Sequence, residues 1–259
     1  MKEWGVERHA DPLLDGKPFK EVLVDNRANA SALSDYQVSL TVDKAHLKFD
    51  GQRHLRFVDE NMQILDYWAE TTDDFWIEVL KIIGSGIVSL KLVEDVITDA
   101  SGGDVTFVQY HEDLSANDRG ANEFAGGHAY RGKVNRNGGN VVVGFASETA
   151  WRPDDGVYIY FYMTVASQSS IETRKDGVLL VDNIGVIGDG TYVVDLLYPA
   201  GGDIYGYLND VLMGTVVGNS PTDDMGIWYY ERTGAPTLDW GVIRKYSDPE
   251  PTTSIGVGM

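Results

Sequence analysis

The 259-residue sequence contains no cysteine, and its 21 lysine and arginine residues are outnumbered by 40 aspartate and glutamate residues. Without cysteine there is neither a disulfide framework nor a thiolate-bound metal. The formal net charge of −19 repels phosphate backbones, which argues against nucleic-acid binding and suits a protein that tolerates high salt.

Long apolar runs are also missing. No stretch approaches the ~20 apolar residues that a transmembrane helix requires, so we expect no membrane insertion. The first residues, MKEWGVERHADPLLDGKPF, lack the apolar segment of a signal peptide. We therefore expect either a protein that is not exported by that route or one whose leader has been removed.

The sequence is rich instead in short stretches where apolar and polar residues alternate. Examples are YQVSLTVD at 36–43, GIVSLKLV at 86–93, VTFVQY at 105–110 and NVVVGF at 140–145. Alternation of period two predicts β-strands, and the 29 glycines supply frequent turns. No segment has a sustained helical period, so we predict an all-β protein with almost no helix.

Turn sequences suggest how these strands connect. Asp176-Gly177, Asn209-Asp210 and the segment 137–139 (Asn-Gly-Gly) each lie between apolar runs and predict β-hairpins. The segment 94–104 loses the alternation and gathers glycine and aspartate, which indicates a domain boundary. We predict an N-terminal β-sandwich at residues 1–98 and a second β-sandwich at 99–259.

Several motifs in the first part resemble an uncharacterised β-rich family, of unknown function, from bacterial and archaeal surface proteins and viral genomes. They are NRANASALSDYQV, similar to the pattern N-x-x-N-x-S-x-L-x-D-Y-Q-V, then RFVD and YWAE. In the second part, GYLNDVLMGT is similar to a hairpin of concanavalin A-type and laminin-G-type jelly rolls. The end, LDWGVIRKYSDPEPT, resembles the finish of proteins that combine the two modules. The resemblance implies a β-sandwich followed by a concanavalin A-like jelly roll, and it implies no activity.

The stretch VYIYFYMTV at 157–165 places apolar residues on one parity and Tyr158, Tyr160 and Tyr162 on the other. One interpretation is that a second layer of the protein buries the tyrosines, and the other is that they form a binding face. The apolar parity is the better core face because it has no hydroxyl group that needs a partner. We predict that the tyrosines face outward and contact the first domain, another copy or a ligand.

Loop residues offer two weaker candidate sites. Trp151 and Arg152 precede the tyrosine strand, where they would either form a ligand platform or close the end of the sandwich. Adjacent aspartates, Asp154 with Asp155 and Asp223 with Asp224, would suit calcium, although in a chain so rich in aspartate we favour solvated loop charge for each pair. We expect no other cofactor.

The sequence contains no recognisable catalytic motif. The β-glucanases of the jelly-roll fold use Glu-x-Asp-x-x-Glu on one strand, and that spacing is absent. The densest titratable cluster, His111-Glu112-Asp113, would point to opposite faces of a strand. We therefore expect no enzyme activity.

Three functional hypotheses follow. The first is a non-catalytic virion component (a decoration, fibre or adhesion protein) on a virion or extracellular surface. Its partners would be other surface proteins, copies of itself or a glycan. The second is a secreted or cell-surface glycan-binding protein, and the third is a glycoside hydrolase with an unrecognised site.

Overall fold

The computed structural model describes residues 19–43, 54–95, 102–114, 118–119, 126–148, 153, 156–161, 169–200, 202–218 and 224–256. Within these ranges the secondary structure is nineteen strands and one four-residue helix, α1 (Gly103–Thr106). The prediction of an all-β protein is confirmed. No helix in the described ranges is long and apolar enough to cross a membrane.

The chain forms two compact units. The first unit comprises residues 1–106 and 249–259, and the second comprises residues 107–248. Relative to the predicted division between residues 98 and 99, the described residues 102–106 and 249–256 also belong to the first unit. The chain therefore leaves the first unit, forms the whole of the second, and returns to complete the first.

The first unit is a sandwich of two antiparallel sheets. One has the strand order β19-β1-β6-β3 and the other β2-β5-β4. Their bounds are β1 Phe19–Asp25, β2 Leu33–Thr41, β3 His54–Val58, β4 Tyr67–Ala69, β5 Asp74–Ile82, β6 Ile87–Asp95 and β19 Thr252–Ile255. Alternate residues of both sheets, such as Val24, Val38, Phe57 and Ile77, meet in one apolar core.

The motif NRANAS and the chain end hold each other in place. Asn26 Nδ2 donates to the carbonyl oxygens of Ser31 and Ile83, each at 3.0 Å. Asn29 Nδ2 donates to the Pro249 carbonyl at 3.2 Å, and Tyr36 Oη donates to Glu250 at 2.9 Å. The opening and closing motifs of the resemblance therefore have a structural role within the first unit.

Residues of the RFVD and YWAE motifs also form hydrogen bonds within the first unit. Arg56 is 2% exposed, and its Nη1 donates to the Tyr67 hydroxyl at 3.0 Å. Trp76 Nε1 donates to Glu70 Oε2 at 2.9 Å. Buried polar groups that are bonded in this way stabilise a fold, so these motifs give no indication of a ligand.

The second unit is a sandwich of two six-stranded antiparallel sheets. The sheet that we call the β10 sheet has the order β13-β12-β11-β10-β17-β8, and the β9 sheet has the order β16-β15-β14-β9-β18-β7. Their bounds are β7 Gln109–Leu114, β8 Asp118–Arg119, β9 His128–Arg136, β10 Asn140–Ala146, β11 Gly156–Phe161, β12 Ser169–Lys175, β13 Val178–Gly185, β14 Gly190–Tyr198, β15 Ile204–Leu208, β16 Val211–Val216, β17 Gly226–Thr233 and β18 Thr237–Lys245. Residues of both sheets, such as Phe145, Ile159, Leu196 and Ile243, form the apolar core between them.

Two of the three predicted hairpins are present. Asp176 and Gly177 have φ of 49° and 74° between β12 and β13, and Asn209 and Asp210 have φ of 48° and 62° between β15 and β16. The third prediction, a hairpin at 137–139, is wrong because β9 and β10 lie in different sheets. The turn is real, but it carries the chain from one sheet to the other.

The predicted strand at 105–110 is wrong in its first half. Residues 103–106 form α1, and the strand β7 begins at Gln109. Thr106 Oγ1 donates to the Gly102 carbonyl at 2.7 Å, so a local side-chain bond replaces the sheet pairing that the alternation predicted.

Candidate functional site

The strand β11 contributes to two different clusters. Val157, Ile159 and Phe161 are fully buried in the core between the sheets. Tyr158 and Tyr160 point to the opposite side of the β10 sheet, where they form a second cluster with Trp228. We call this side the aromatic face and define it by the residues that alternate onto it: Val142, Ala146, Tyr158, Tyr160, Ser170, Glu172, Arg174, Trp228 and Tyr230.

The centre of the aromatic face is covered. Tyr158 and Tyr160 are each 3% exposed, and Trp228 is fully buried. This burial agrees with the interpretation that a second layer covers the tyrosines. A ligand-binding role for Tyr158 and Tyr160 stays a prediction.

The two central rings are in contact across β10, at a glycine with little room for a side chain. Gly144 pairs with Tyr158 on one side and with Trp228 on the other. A Cβ atom at Gly144 would lie 2.3 Å from the Val157 carbonyl oxygen and 2.7 Å from the Tyr158 Cα. The rings of Tyr158 and Trp228, on the two strands that flank β10, make an edge-to-face contact with centroids 5.1 Å apart and planes at 75°.

Polar side chains of β12 border these rings. Glu172 pairs directly with Tyr158, is 8% exposed, and accepts a hydrogen bond from Ser170 Oγ at 2.8 Å. Burial raises the pKa of the Tyr158 hydroxyl well above its usual range, and the negative charge of Glu172 raises it further, whereas Arg174 lowers it. Tyr158 is therefore a neutral hydroxyl beside a carboxylate and a guanidinium group.

Two hydrogen-bond donors on the aromatic face are unused. Within the described residues, the buried Nε1 of Trp228 and Nε of Arg174 have no hydrogen-bond partner. The other end of Arg174 is fixed, because Nη2 donates to the Gly177 carbonyl at 3.0 Å. A buried donor without a partner costs free energy, and such groups often mark sites where a ligand or water completes the bonding.

The outer side of the β9 sheet is different. Arg131 forms ion pairs with Asp195 and, at 3.2 Å, with Asp210. Lys133 pairs with Asp239 at 3.2 Å. These cations are already bonded within the second unit, so we take the aromatic face as the candidate site.

Most of the other predicted site residues lie outside the described part of the chain. These are Tyr162, Trp151, Arg152, Asp154, Asp155 and Asp223. Asp224 is described and is exposed just before β17. In the described ranges no group of three histidine, aspartate or glutamate side chains could hold a metal ion.

Sequence reasoning missed Glu172, Arg174 and Trp228 as members of one site. The stretch SSIETRK does place Ser170, Glu172 and Arg174 on one parity, which is the available signal. The pairing of β11 with β12 and of β10 with β17 is not visible from periodicity, and that pairing brings the three side chains to the same face.

Comparison with known proteins identifies no family. No protein-family model matches the sequence, and no curated protein matches it. Membership in the uncharacterised family that the motifs resemble stays a prediction.

Solved β-sandwich structures are similar at low identity. The galectin LEC-6 of Caenorhabditis elegans is 12% identical with a TM-score of 0.40, and the match covers 52% of this chain and 94% of the galectin. For the carbohydrate binding module CBM66 from Bacillus subtilis the identity is 12%, the TM-score 0.30 and the coverage 57% and 78%. A Bacillus licheniformis β-glucanase is 10% identical with a TM-score of 0.35, over 83% of this chain and 100% of the glucanase. All three TM-scores are below 0.5.

Proposed function

We propose that the protein is a non-catalytic binding protein whose second unit binds carbohydrate on the aromatic face. The observation that carries the proposal is the pair of unused donors, Trp228 Nε1 and Arg174 Nε, beside aromatic rings and the Glu172 carboxylate.

The chemistry of these groups suits a sugar. A sugar ring has apolar C–H faces that pack on aromatic rings, and hydroxyl groups that both donate and accept hydrogen bonds. Glu172 is an acceptor, whereas Trp228 Nε1 and Arg174 Nε are donors only. A carbohydrate lying across this face from β12 to β17 offers both kinds of partner, donors for Glu172 and acceptors for the two nitrogens.

Access to the site sets a requirement on the ligand. The central rings are buried, so the ligand must displace what covers them or enter from the β13 side. That side supports entry because Leu179 and Val181, on the same parity as Arg174 and Glu172, are 40% and 45% exposed.

The carboxylate content supports binding rather than hydrolysis. Glycoside hydrolysis in most families requires two carboxyl groups that flank the scissile bond, about 5–9.5 Å apart. Within the described residues of the aromatic face, Glu172 is the single carboxylate.

A glycan array probed with the full chain tests the proposal. We expect one glycan class to bind, and we expect Glu172→Gln and Arg174→Met each to weaken binding about 10-fold or more, the equivalent of ~1.4 kcal/mol. Lys175→Met is the matched control, because it removes a neighbouring cation of the opposite parity. An array without any bound glycan, or equal losses in all three variants, would contradict the proposal.

A structural role on a surface, such as a virion, is a second candidate. The exposed apolar strand β13 favours it, because proteins that assemble need uncovered apolar surface. The test is whether purified particles from the source organism contain the protein at a fixed ratio to their major component. Absence from such particles would eliminate this candidate without affecting the first.

A further inference from the structure

Residues 249–256, which we call the return segment, are attached to the first unit as an extended strand. Within the return segment, β19 pairs antiparallel with β1, with Val22 opposite Ile255 and Asp25 opposite Thr252. Proteins also bind separate peptides in this way, by adding an extended strand to the edge of a sheet. We propose that the first unit is a peptide-binding module and that two copies of the chain exchange their return segments. This inference goes beyond carbohydrate binding and does not depend on it.

The return segment is held by hydrogen bonds at both of its ends. The side chains of Asn29 and Tyr36 donate to its first two residues. At its other end, Gly256 N donates to the Glu21 carbonyl at 2.8 Å. These bonds recognise an extended backbone and one carboxylate, and a segment from another chain presents the same groups.

The core of the first unit is built without the return segment. The buried residues of this core lie in β1 to β6 and in the loops that join them. No residue of 249–256 is buried, and Ile255 is a half-buried side chain that packs against the core. Release of the segment therefore uncovers little apolar surface. Pro249 and Pro251 restrict the free segment to extended conformations, which lowers the entropy that it loses on binding.

The edge of β1 identifies what replaces a released segment. Antiparallel hydrogen bonds alternate along a ladder, so the bond between Gly256 and Glu21 places the N–H and C=O of Leu23 on the side of Ser254. Without β19 these backbone groups lose their partners, and such an edge pairs readily with another strand.

A second copy of the chain supplies the segment that fits this edge. The return segment is the sequence that the structure shows seated there, and each copy carries one segment and one edge. Two chains that exchange segments form the same contacts as each chain forms by itself. Exchange of an identical element between copies is for that reason a low-cost route to a dimer.

A short tether favours the closed chain at low concentration. Tyr246 N donates to the Gly127 carbonyl of the second unit at 2.8 Å, so residues 247–251 connect a fixed point to β19. Such a tether gives an effective concentration on the order of millimolar. We therefore expect the native chain to be monomeric at micromolar concentrations, and exchange to become visible when a chain cannot use its own segment.

Two full-chain variants with complementary defects test the proposal. Ser254→Pro removes the N–H of the segment that faces Leu23 and keeps the edge of β1, whereas Leu23→Pro removes the N–H of the edge and keeps the segment. In sedimentation velocity we expect each variant alone to be monomeric and an equimolar mixture to form a heterodimer. For so small a contact we expect a dissociation constant on the order of 100 μM.

Ser254→Ala is the matched control, because it changes the same exposed residue and keeps its N–H. Its own segment still occupies the edge, so its mixture with Leu23→Pro should form at least 10-fold less heterodimer. Equal amounts of heterodimer with Ser254→Pro and Ser254→Ala would overturn the proposal.

A synthetic peptide of residues 247–256 provides a second measurement, in which the peptide replaces Leu23→Pro as the donor. Fluorescence anisotropy should show saturable binding of the peptide to Ser254→Pro and at least 10-fold weaker binding to the native chain, whose edge is occupied. If Ser254→Pro leaves the first unit unfolded, we expect the peptide to restore its resistance to urea. Absence of both binding and rescue would overturn the peptide-binding module. Peptide binding without a heterodimer at about 1 mM of each variant, 10-fold above the expected dissociation constant, would overturn exchange between copies.

Discussion

The two units use buried polar side chains differently, and two tryptophans make the difference clear. Trp76 of the first unit and Trp228 of the second are both buried. Trp76 Nε1 donates to Glu70 at 2.9 Å, whereas Trp228 Nε1 has no partner in the described residues. A polar group that is bonded within its fold stabilises that fold, and a buried polar group without a partner needs another explanation, such as a ligand or an ordered water.

The polar motif residues of the first unit, like Trp76, form hydrogen bonds within their own unit. Both hydrogens of Asn26 Nδ2 are used, and Arg56 donates to Tyr67. The exception is Asn26 Oδ1, which is buried without a partner in the described chain. The motif residues of the first unit therefore stabilise their own fold, and the binding role that we propose lies on the aromatic face of the second unit.

The largest expected effect comes from a substitution at Gly144, in the strand β10 of the aromatic face. Gly144→Ala would place a methyl group 2.3 Å from the Val157 carbonyl oxygen, and φ at this residue is 151°. We expect a loss of about 3–4 kcal/mol in the unfolding free energy of the second unit, measured by urea denaturation. Gly188→Ala is the control, since no atom lies within 4 Å of its Cβ position. A cost of less than 1 kcal/mol at Gly144 would contradict this description.

The next effect concerns the first unit alone. Asn26→Ala would leave the carbonyl oxygens of Ser31 and Ile83 without their donor, at a cost of about 2–3 kcal/mol. Asn61→Ala, at an exposed turn residue, should cost less than ~0.5 kcal/mol. Urea denaturation gives both values, and glycan binding should be unchanged in both variants. A loss of binding in Asn26→Ala would show that the two units do not divide the roles as proposed.

Substituting Trp76 and Trp228 in parallel tests directly whether the two indole N–H groups differ in their contribution to stability. Trp76→Phe removes a hydrogen bond to Glu70, whereas Trp228→Phe removes a donor without a partner. Both substitutions lose similar apolar area, so we expect Trp76→Phe to be more destabilising by about 1–2 kcal/mol. Chemical denaturation of the two variants side by side measures that difference. Equal costs would mean that Trp228 Nε1 is bonded after all.

The smallest effect is a pH dependence in the second unit. Burial raises the pKa of Tyr158 above its ordinary value of 10.0, so the unfolded state loses this proton first as the pH rises. The stability that the neutral hydroxyl provides is therefore complete below pH ~10 and is lost as the pH rises above it. Tyr158→Phe should reduce the loss of stability between pH 9 and about pH 11, measured by urea denaturation at each pH. An unchanged pH dependence would show that Tyr158 titrates normally.

The local features of the fold were predictable from the sequence. Alternation indicated the strands, and the Asp176-Gly177 and Asn209-Asp210 turns were correctly assigned because positive φ has a clear residue preference. The segment 137–139 has the same turn chemistry, yet it joins strands of different sheets. Turn residues report local geometry and do not report which strand a chain pairs with next.

The candidate site was less predictable because it depends on long-range pairing. Tyr158 and Tyr160 were identified from parity within one strand. Glu172 reaches them through the pairing of the consecutive strands β11 and β12. Trp228 reaches them through the β10–β17 pairing, which joins residues far apart in the sequence. The return of β19 to β1 was missed for the same reason, although the PEPT motif that precedes it was recognised.

Isothermal titration calorimetry of Trp228→Phe with the glycan that the array identifies tests the central claim most directly. We predict that the variant keeps the unfolding free energy of the native chain within about 1 kcal/mol and weakens glycan binding about 10-fold or more, because only the ligand uses its Nε1 hydrogen. Trp76→Phe should lose stability and keep its affinity. If Trp228→Phe binds the glycan with unchanged affinity, the aromatic face is a second core of the protein and the binding site lies elsewhere.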